Sequence, residues 1–157
     1  MEDQRAGVFE TPKREDIPEM TRLHVAAMES SDEDAVWIGS RMRLVLMRTV
    51  GRRSGREHKV ALPYWKDSDG HWIVVASYAG GPSHPAWYHN LADRDANPEV
   101  LCRAQGERFW ADAVPLEGDE YAQIWAALIV DRPFYQDYQD RCERRIPLVR
   151  LVRKRPA

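Results

Sequence analysis

Two tight turns, each set between short runs of apolar and β-branched residues, constrain this chain more than any other feature. Asp69-Gly70 separates Lys59–Lys66 from His71–Ser77, and Gln105-Gly106 separates Glu99–Ala104 from Arg108–Pro115. A two-residue connection carrying glycine supports the backbone twist of an antiparallel hairpin, and such a hairpin must bury one face to be stable. Two more runs read as strands: Arg43–Thr49 (RLVLMRT), which ends at Gly51, and the closing IPLVRLV. Within Lys59–Lys66, Val60, Leu62 and Tyr64 alternate onto one face, while Pro63 cannot donate to a ladder and marks an edge or a bulge.

Helical patterns fall between these strands. Ile17, Met20, Leu23, Ala27 and Met28 recur at helical spacing after Asp16, an expected N-cap, with Pro18 in the first turn. Tyr121, Ile124, Trp125, Leu128 and Ile129 form a second stripe. A helix is expected to open near Pro85, and another to run from Pro133 through Cys142. About six antiparallel strands with three to four irregularly placed helices predict an α+β fold closed as a small β-barrel, and argue against a doubly wound sheet. Residues 1–40 read as a mobile lead-in (1–15) and an amphipathic helix whose expected role is packing; residues 41–157 read as the barrel domain.

At 157 residues and 43% apolar content the chain is long enough for one sizeable core. Its net charge of −2 gives no global field for nucleic acid, but the charge is unevenly placed. Residues 1–34 hold ten acids and four bases, whereas residues 41–59 hold seven bases and one acid. A compact basic block in an acidic chain suits a small anionic ligand, or is simply a solvated hairpin surface. Cys102 and Cys142 are isolated, the N-terminus lacks an apolar signal region, and WIVVA and IWAALIV are too short to span a bilayer. A reduced, cytoplasmic protein without stable membrane insertion is expected; a peripheral membrane contact and a homodimer stay compatible with the sequence.

Most nucleophilic and metal chemistries find no motif. There is no G-x-G-x-x-G after a strand, and Gly51-Arg52-Arg53-Ser54-Gly55-Arg56 lacks the length and Lys-Ser/Thr ending of a phosphate loop. No G-x-S-x-G elbow is present, the five histidines lack metal-ligand spacing, and Asp93 and Asp95 read as turn formers. No metal site is expected. What remains is a binding constellation. Arg52, Arg53 and Lys59 surround a turn whose glycines admit a close anion. Ser77-Tyr78-Ala79-Gly80-Gly81 leads from a buried strand toward a helix start, where N–H groups face outward. Trp87, Tyr88, His89 and Asn90 follow and can wall a planar ring, although Trp87 and Leu91, four apart, equally suit a core.

GRRSGREHKVALPY, VASYAGGPSHPAWYHNLADRDANPEV and DRPFYQDYQDRCERRIPLVRLV together resemble the deazaflavin-dependent nitroreductase family. These are actinobacterial quinone and nitroimidazole reductases that use reduced coenzyme F420. The resemblance runs from about Met42 to Arg150 and leaves residues 1–40 outside. It implies a split β-barrel like that of flavin-mononucleotide oxidases. It also implies that Arg52, Arg53 and Ser54, with Lys59 beside them, hold the cofactor's phosphate and oligoglutamate tail. Lys59, Val60, Ala61, Leu62, Pro63 and Tyr64 would line the deazaflavin with Val75, Ala76, Ser77 and Tyr78, largely through backbone. Ala86, Trp87, Tyr88, His89 and Asn90 would complete that pocket, and Tyr135 would reach the reactive face.

The chain departs from the family pattern at three places. One residue is inserted between Gly55 and Val60, so His58 and Lys59 compete for one basic position. Tyr78 replaces a lysine, and Arg132 replaces an active-site tyrosine of the nitroreductase member, which alters the acceptor pocket. Tyr135 and Tyr138 lie three apart on one helix face, and a phenol of pKa ~10 is a proton and hydrogen-bond donor at neutral pH. The function expected is hydride transfer from reduced F420 to a small quinone, enone or nitro compound, with Tyr135, Tyr138 and Arg132 on the acceptor side. Two alternatives stay open: a flavin mononucleotide (FMN) reductase on the same barrel, and a protein that stores a deazaflavin or haem without turnover.

Overall fold

The computed structural model describes residues 3–157. Its elements, in order, are α1 (Ile17–Ser30), α2 (Asp34–Trp37), β1 (Ile38–Gly39), β2 (Met42–Val50), β3 (Glu57–Pro63), β4 (Trp65–Lys66) and β5 (Trp72–Val75), followed by α3 (Ala86–Ala92), β6 (Val100–Ala104), β7 (Glu107–Pro115), α4 (Gly118–Asp131), α5 (Phe134–Asp140) and β8 (Leu148–Pro156). The strands form one antiparallel sheet in the order β1-β2-β6-β7-β8-β5-β4, with β3 on the free side of β2. The six expected strands are all present; β1 and β4, two residues each, are additional, as is the four-residue α2. The run Lys59–Lys66 does not continue as one strand. It breaks at Tyr64, whose N–H turns to the carbonyl of Arg43 and whose ring stacks on Trp72 with centroids 3.8 Å apart. The Asp16 carboxylate does not cap α1, because a 3-10 turn over Arg14–Asp16 runs directly into the helix.

The apolar runs Leu44–Met47 of β2 and Trp72–Val75 of β5, and the apolar pairs of β8 on either side of Arg150, arise because both faces of the curled sheet are covered. Val45, Met47, Val74, Val149 and Leu151 point inward with Cys102 and Phe109, forming the barrel core closed at one end by Trp87 and Leu91 of α3. The alternate residues Leu44 and Leu46 meet Val25, Met28 and Trp37 of α1 and α2. On the other flank Ile73, Val75 and Leu148 meet Tyr121 and Leu128 of α4 and Tyr135 and Tyr138 of α5. Burying a leucine- or methionine-sized side chain stabilises by roughly 1.5–3 kcal/mol, so three separate clusters pin the helices to both faces. The lead-in also makes defined contacts: Gln4 pairs with the backbone of Lys66, and Phe9 meets Phe134 edge-on at 4.8 Å. Both cysteines are free, and burial pushes the Cys102 thiol up to about 12. Among the described residues no helix is long and apolar enough to cross a membrane.

Candidate functional site

Among the described residues strand β3 pairs with β2 alone, so its other edge keeps unpaired backbone N–H and C=O groups. Lys59 to Pro63 line a cavity of about 830 Å³ along that strand. The opposite walls come from Ala86, Trp87 and Asn90 of α3, from Val75 and the Ser77–Ala79 turn, and from Phe134, Tyr135 and Tyr138 of α5. Helix α1 closes one side with Ile17, Met20, Thr21 and His24, and the lead-in contributes Phe9, Glu10 and Pro12. A volume of this size accepts a cofactor-sized planar molecule, and most of the wall is apolar side chain or backbone.

The turn after β5 is held in an unusual shape. Tyr78, Ala79 and Gly80 all have positive φ (46°, 52° and 75°). For Tyr78 and Ala79 this is a strained region, of order 1–3 kcal/mol each, and it persists only where the surroundings enforce it. Arg144, between α5 and β8, does so by donating to three carbonyls of this segment: Ala76 (3.1 Å), Ser77 (2.7 Å) and Gly81 (2.9 Å). Gly80 is required for a second reason, since a Cβ there would lie 2.8 Å from the carbonyl oxygen of Tyr138.

The basic turn between β2 and β3 is built on Gly51 and Gly55. A Cβ on Gly51 would meet Ser54 Oγ at 2.5 Å, and Gly55 has φ +71°. Two buried asparagines fasten this turn to α3. Asn97 donates to the carbonyls of Val50 and Asn90, both at 2.8 Å, and Asn90 Oδ1 accepts from Arg52 N–H and Nη1 at 3.3 and 3.1 Å. Arg52 is thereby occupied within the fold. Arg53 and Arg56 are exposed and have no ion-pair partner among the described residues, and Lys59 is paired with Glu29 of α1 at 2.7 Å.

On α5, Tyr135 is 4% exposed, and burial pushes its phenol up to about 12, with Tyr138 adding and Arg132 opposing. Tyr138 Oη shares a hydrogen bond with Thr11 Oγ1 at 3.2 Å. Arg132 is 2% exposed and does not line the cavity; its Nε donates to the carbonyl of Gln4 at 2.8 Å, while Nη1 is buried without a hydrogen-bond partner. It stands beside Tyr135 as a desolvated cation, so it acts on the site through that residue rather than by lining the cavity.

Of the residues expected at the site, the structure gathers Lys59, Val60, Ala61, Leu62, Pro63, Val75, Ser77, Tyr78, Ala86, Trp87, Asn90, Tyr135 and Tyr138 around one cavity. Arg52, Arg53 and Ser54, in the basic turn, and Tyr88 and His89 of α3 do not line it. Tyr64 and Ala76 belong to the barrel core. Both His58 and Lys59 line the cavity. Sequence reasoning missed the α1 and lead-in walls, because a helical stripe reports that a face is covered but not what it covers. It also missed Arg144 and His84, whose signal is geometric rather than a motif.

Comparison with known proteins agrees with this geometry. The profile of a family described as F420H(2)-dependent quinone reductase matches residues 20–153, a span that begins within α1 and so reaches further toward the N-terminus than Met42. An F420H(2)-dependent quinone reductase of Mycobacterium tuberculosis is 31% identical over 152 residues, covering 88% of this chain and 99% of that one. Among solved structures, an F420-H2 dependent reductase (FDR-A) is 33% identical with a TM-score of 0.58, covering 69% of this chain and 92% of that one. A chain described as a domain-swapped dimer is 28% identical with a TM-score of 0.60, over 85% of this chain and 98% of its own length. The curled, open barrel is therefore the split barrel of these reductases, and this chain belongs to the F420H(2)-dependent quinone reductase family, oxidoreductases whose cofactor is coenzyme F420.

Proposed function

We propose that this protein passes a hydride from reduced F420 to a small electrophilic acceptor, a quinone first of all, and that Tyr135 hydrogen-bonds the acceptor oxygen as charge develops on it. One observation supports this above the others. A buried, neutral phenol stands in the same cavity as the unpaired edge of β3. The cavity fits the cofactor: it has the volume for a tricycle, a free backbone edge for a ring with amide-like groups, and cations at the end near the basic turn. Val60 to Pro63, Ala86 and Trp87 would hold the ring system, with Lys59 and Arg53 toward the anionic tail.

When bound, the reduced deazaflavin supplies two electrons as one hydride. The chain's own task is then to position, shield and donate. The α1 and Phe9 walls would shield the acceptor side. Tyr135 holds its proton at neutral pH, so it stabilises a developing oxyanion as a donor without first ionising. Tyr138, tied to Thr11, fixes the lead-in against α5. Arg132 tempers the rise of the Tyr135 pKa from behind.

Mixing the protein with reduced F420 and menadione, with reduced FMN and NADPH as separate controls, tests the reading. Protein-dependent oxidation of reduced F420 supports it. Tight binding without turnover would make the protein a storage protein, and preference for FMN would make it a flavin reductase. A homodimer is proposed on the same footing, since a homologous chain is described as a domain-swapped dimer; light scattering of the purified protein decides it.

A further inference from the structure

The arginine that clamps the Tyr78–Gly80 turn also reaches the first residues before α3. Besides its three carbonyl acceptors, Arg144 places Nη1 2.8 Å from Nδ1 of His84. A guanidinium has donors only, so Nδ1 of His84 is the acceptor in this pair. An imidazole that accepts at Nδ1 carries its proton on Nε2. The doubly protonated ring would set N–H against N–H at that distance. The groups facing the ring are Arg144, His89 at 5.6 Å and Tyr88 at 5.0 Å between centroids. Burial draws the His84 pKa below its ordinary value, and Arg144 and His89 act in the same direction. His84 lines the cavity beside Ser83 and Ala86, and with Nδ1 engaged its one remaining polar ring atom is Nε2–H.

We infer that His84, fixed by Arg144 in the neutral Nε2–H tautomer, is a hydrogen-bond donor to a carbonyl oxygen of the molecule held in the cavity. That oxygen belongs either to the pyrimidinedione ring of the deazaflavin or to the quinone acceptor. The identity of the molecule rests on the proposed function; the tautomer and its direction do not. The clamp gives the site a donor of constant strength across neutral pH, where an unrestrained histidine near pKa ~6.5 would change charge.

Two measurements test the inference. In ligand-free protein, nitrogen-15 NMR correlations of the histidine rings should show His84 as the Nε2–H tautomer, still neutral at a pH where exposed histidines have taken up a proton. An Nδ1–H tautomer or a cation at neutral pH would overturn the inference. In the second, His84→Phe keeps the ring and removes the donor, while Arg144 retains its three carbonyls. If the oxygen is the cofactor's, the Kd for F420 rises about tenfold and the menadione KM at saturating cofactor is unchanged; if it is the acceptor's, kcat/KM for menadione falls about tenfold and the Kd is unchanged. Kd and kcat/KM both within twofold of wild type would refute it. A wild-type protein that binds no deazaflavin would refute the proposed function instead, and the NMR result would still decide the state of His84.

Discussion

Replacing Tyr135 by Phe isolates the hydroxyl on which the proposed chemistry depends. The side chain is 4% exposed and packed against Phe134 and Tyr138 with centroids 4.2 and 6.2 Å away, contacts that Phe retains. Loss of the hydroxyl should therefore change stability by only about 1 kcal/mol. Burial pushes its pKa up to about 12, above that of a free phenol, so the protein favours the neutral form. Such a group works by donating a hydrogen bond rather than by releasing its proton into solution. A donor aimed at developing negative charge in a dry site is worth ~1.4–4 kcal/mol in the transition state. Tyr135→Phe should then lower kcat/KM for menadione about tenfold to a thousandfold. The Kd for F420 should stay within about threefold, because no cofactor contact is removed. The assay follows oxidation of reduced F420 by absorbance, with thermal unfolding as the control for folding. Wild-type turnover with every acceptor would make Tyr135 a packing residue, the proton coming from water.

The same burial sets a pH limit. Because the folded pKa of Tyr135 is raised, its contribution to stability is fully present below ~10, the unfolded value, and is lost as pH rises to about 12; tyrosine-selective NMR and thermal unfolding should show this loss reduced in Tyr135→Phe. Gly80→Ala places a Cβ 2.8 Å from the carbonyl of Tyr138 at φ +75°, and should destabilise by roughly 1–3 kcal/mol while weakening cofactor binding through the turn; unchanged melting would show that the turn relaxes freely. Arg53→Ala removes an exposed cation and should weaken long-tailed F420 by a few-fold, more than the tail-free form and less at high salt; equal losses for both forms would place the tail elsewhere.

The barrel was legible because its strands carry local signals. Asp69-Gly70 and Gln105-Gly106 announce hairpins, and the apolar runs of β2 and β5 mark strands covered on both faces. The short elements were not legible. β1, β4 and α2 are too brief to show a period, and they form because neighbouring chain holds them. The break at Tyr64 depends on the Arg43 carbonyl and the Trp72 ring, both distant in sequence. At the site, the turn glycines and the aromatic helix were readable as chemistry. The α1 wall, the Arg144 clamp and the burial of Arg132 were not, since each is a meeting of segments up to 128 residues apart. A charged side chain in a sequence reads as surface until the fold shows what surrounds it.

A single-turnover experiment shows whether this cavity serves F420-dependent reduction. Reduced F420, bound in slight deficit to the protein, is mixed rapidly with menadione, and the oxidised chromophore is followed in time. Protein-dependent oxidation should saturate with quinone, slow in Tyr135→Phe, and find no counterpart when NADPH or reduced FMN replaces the deazaflavin. Oxidation no faster than in the absence of protein, or equal turnover with NADPH or reduced FMN, would contradict it.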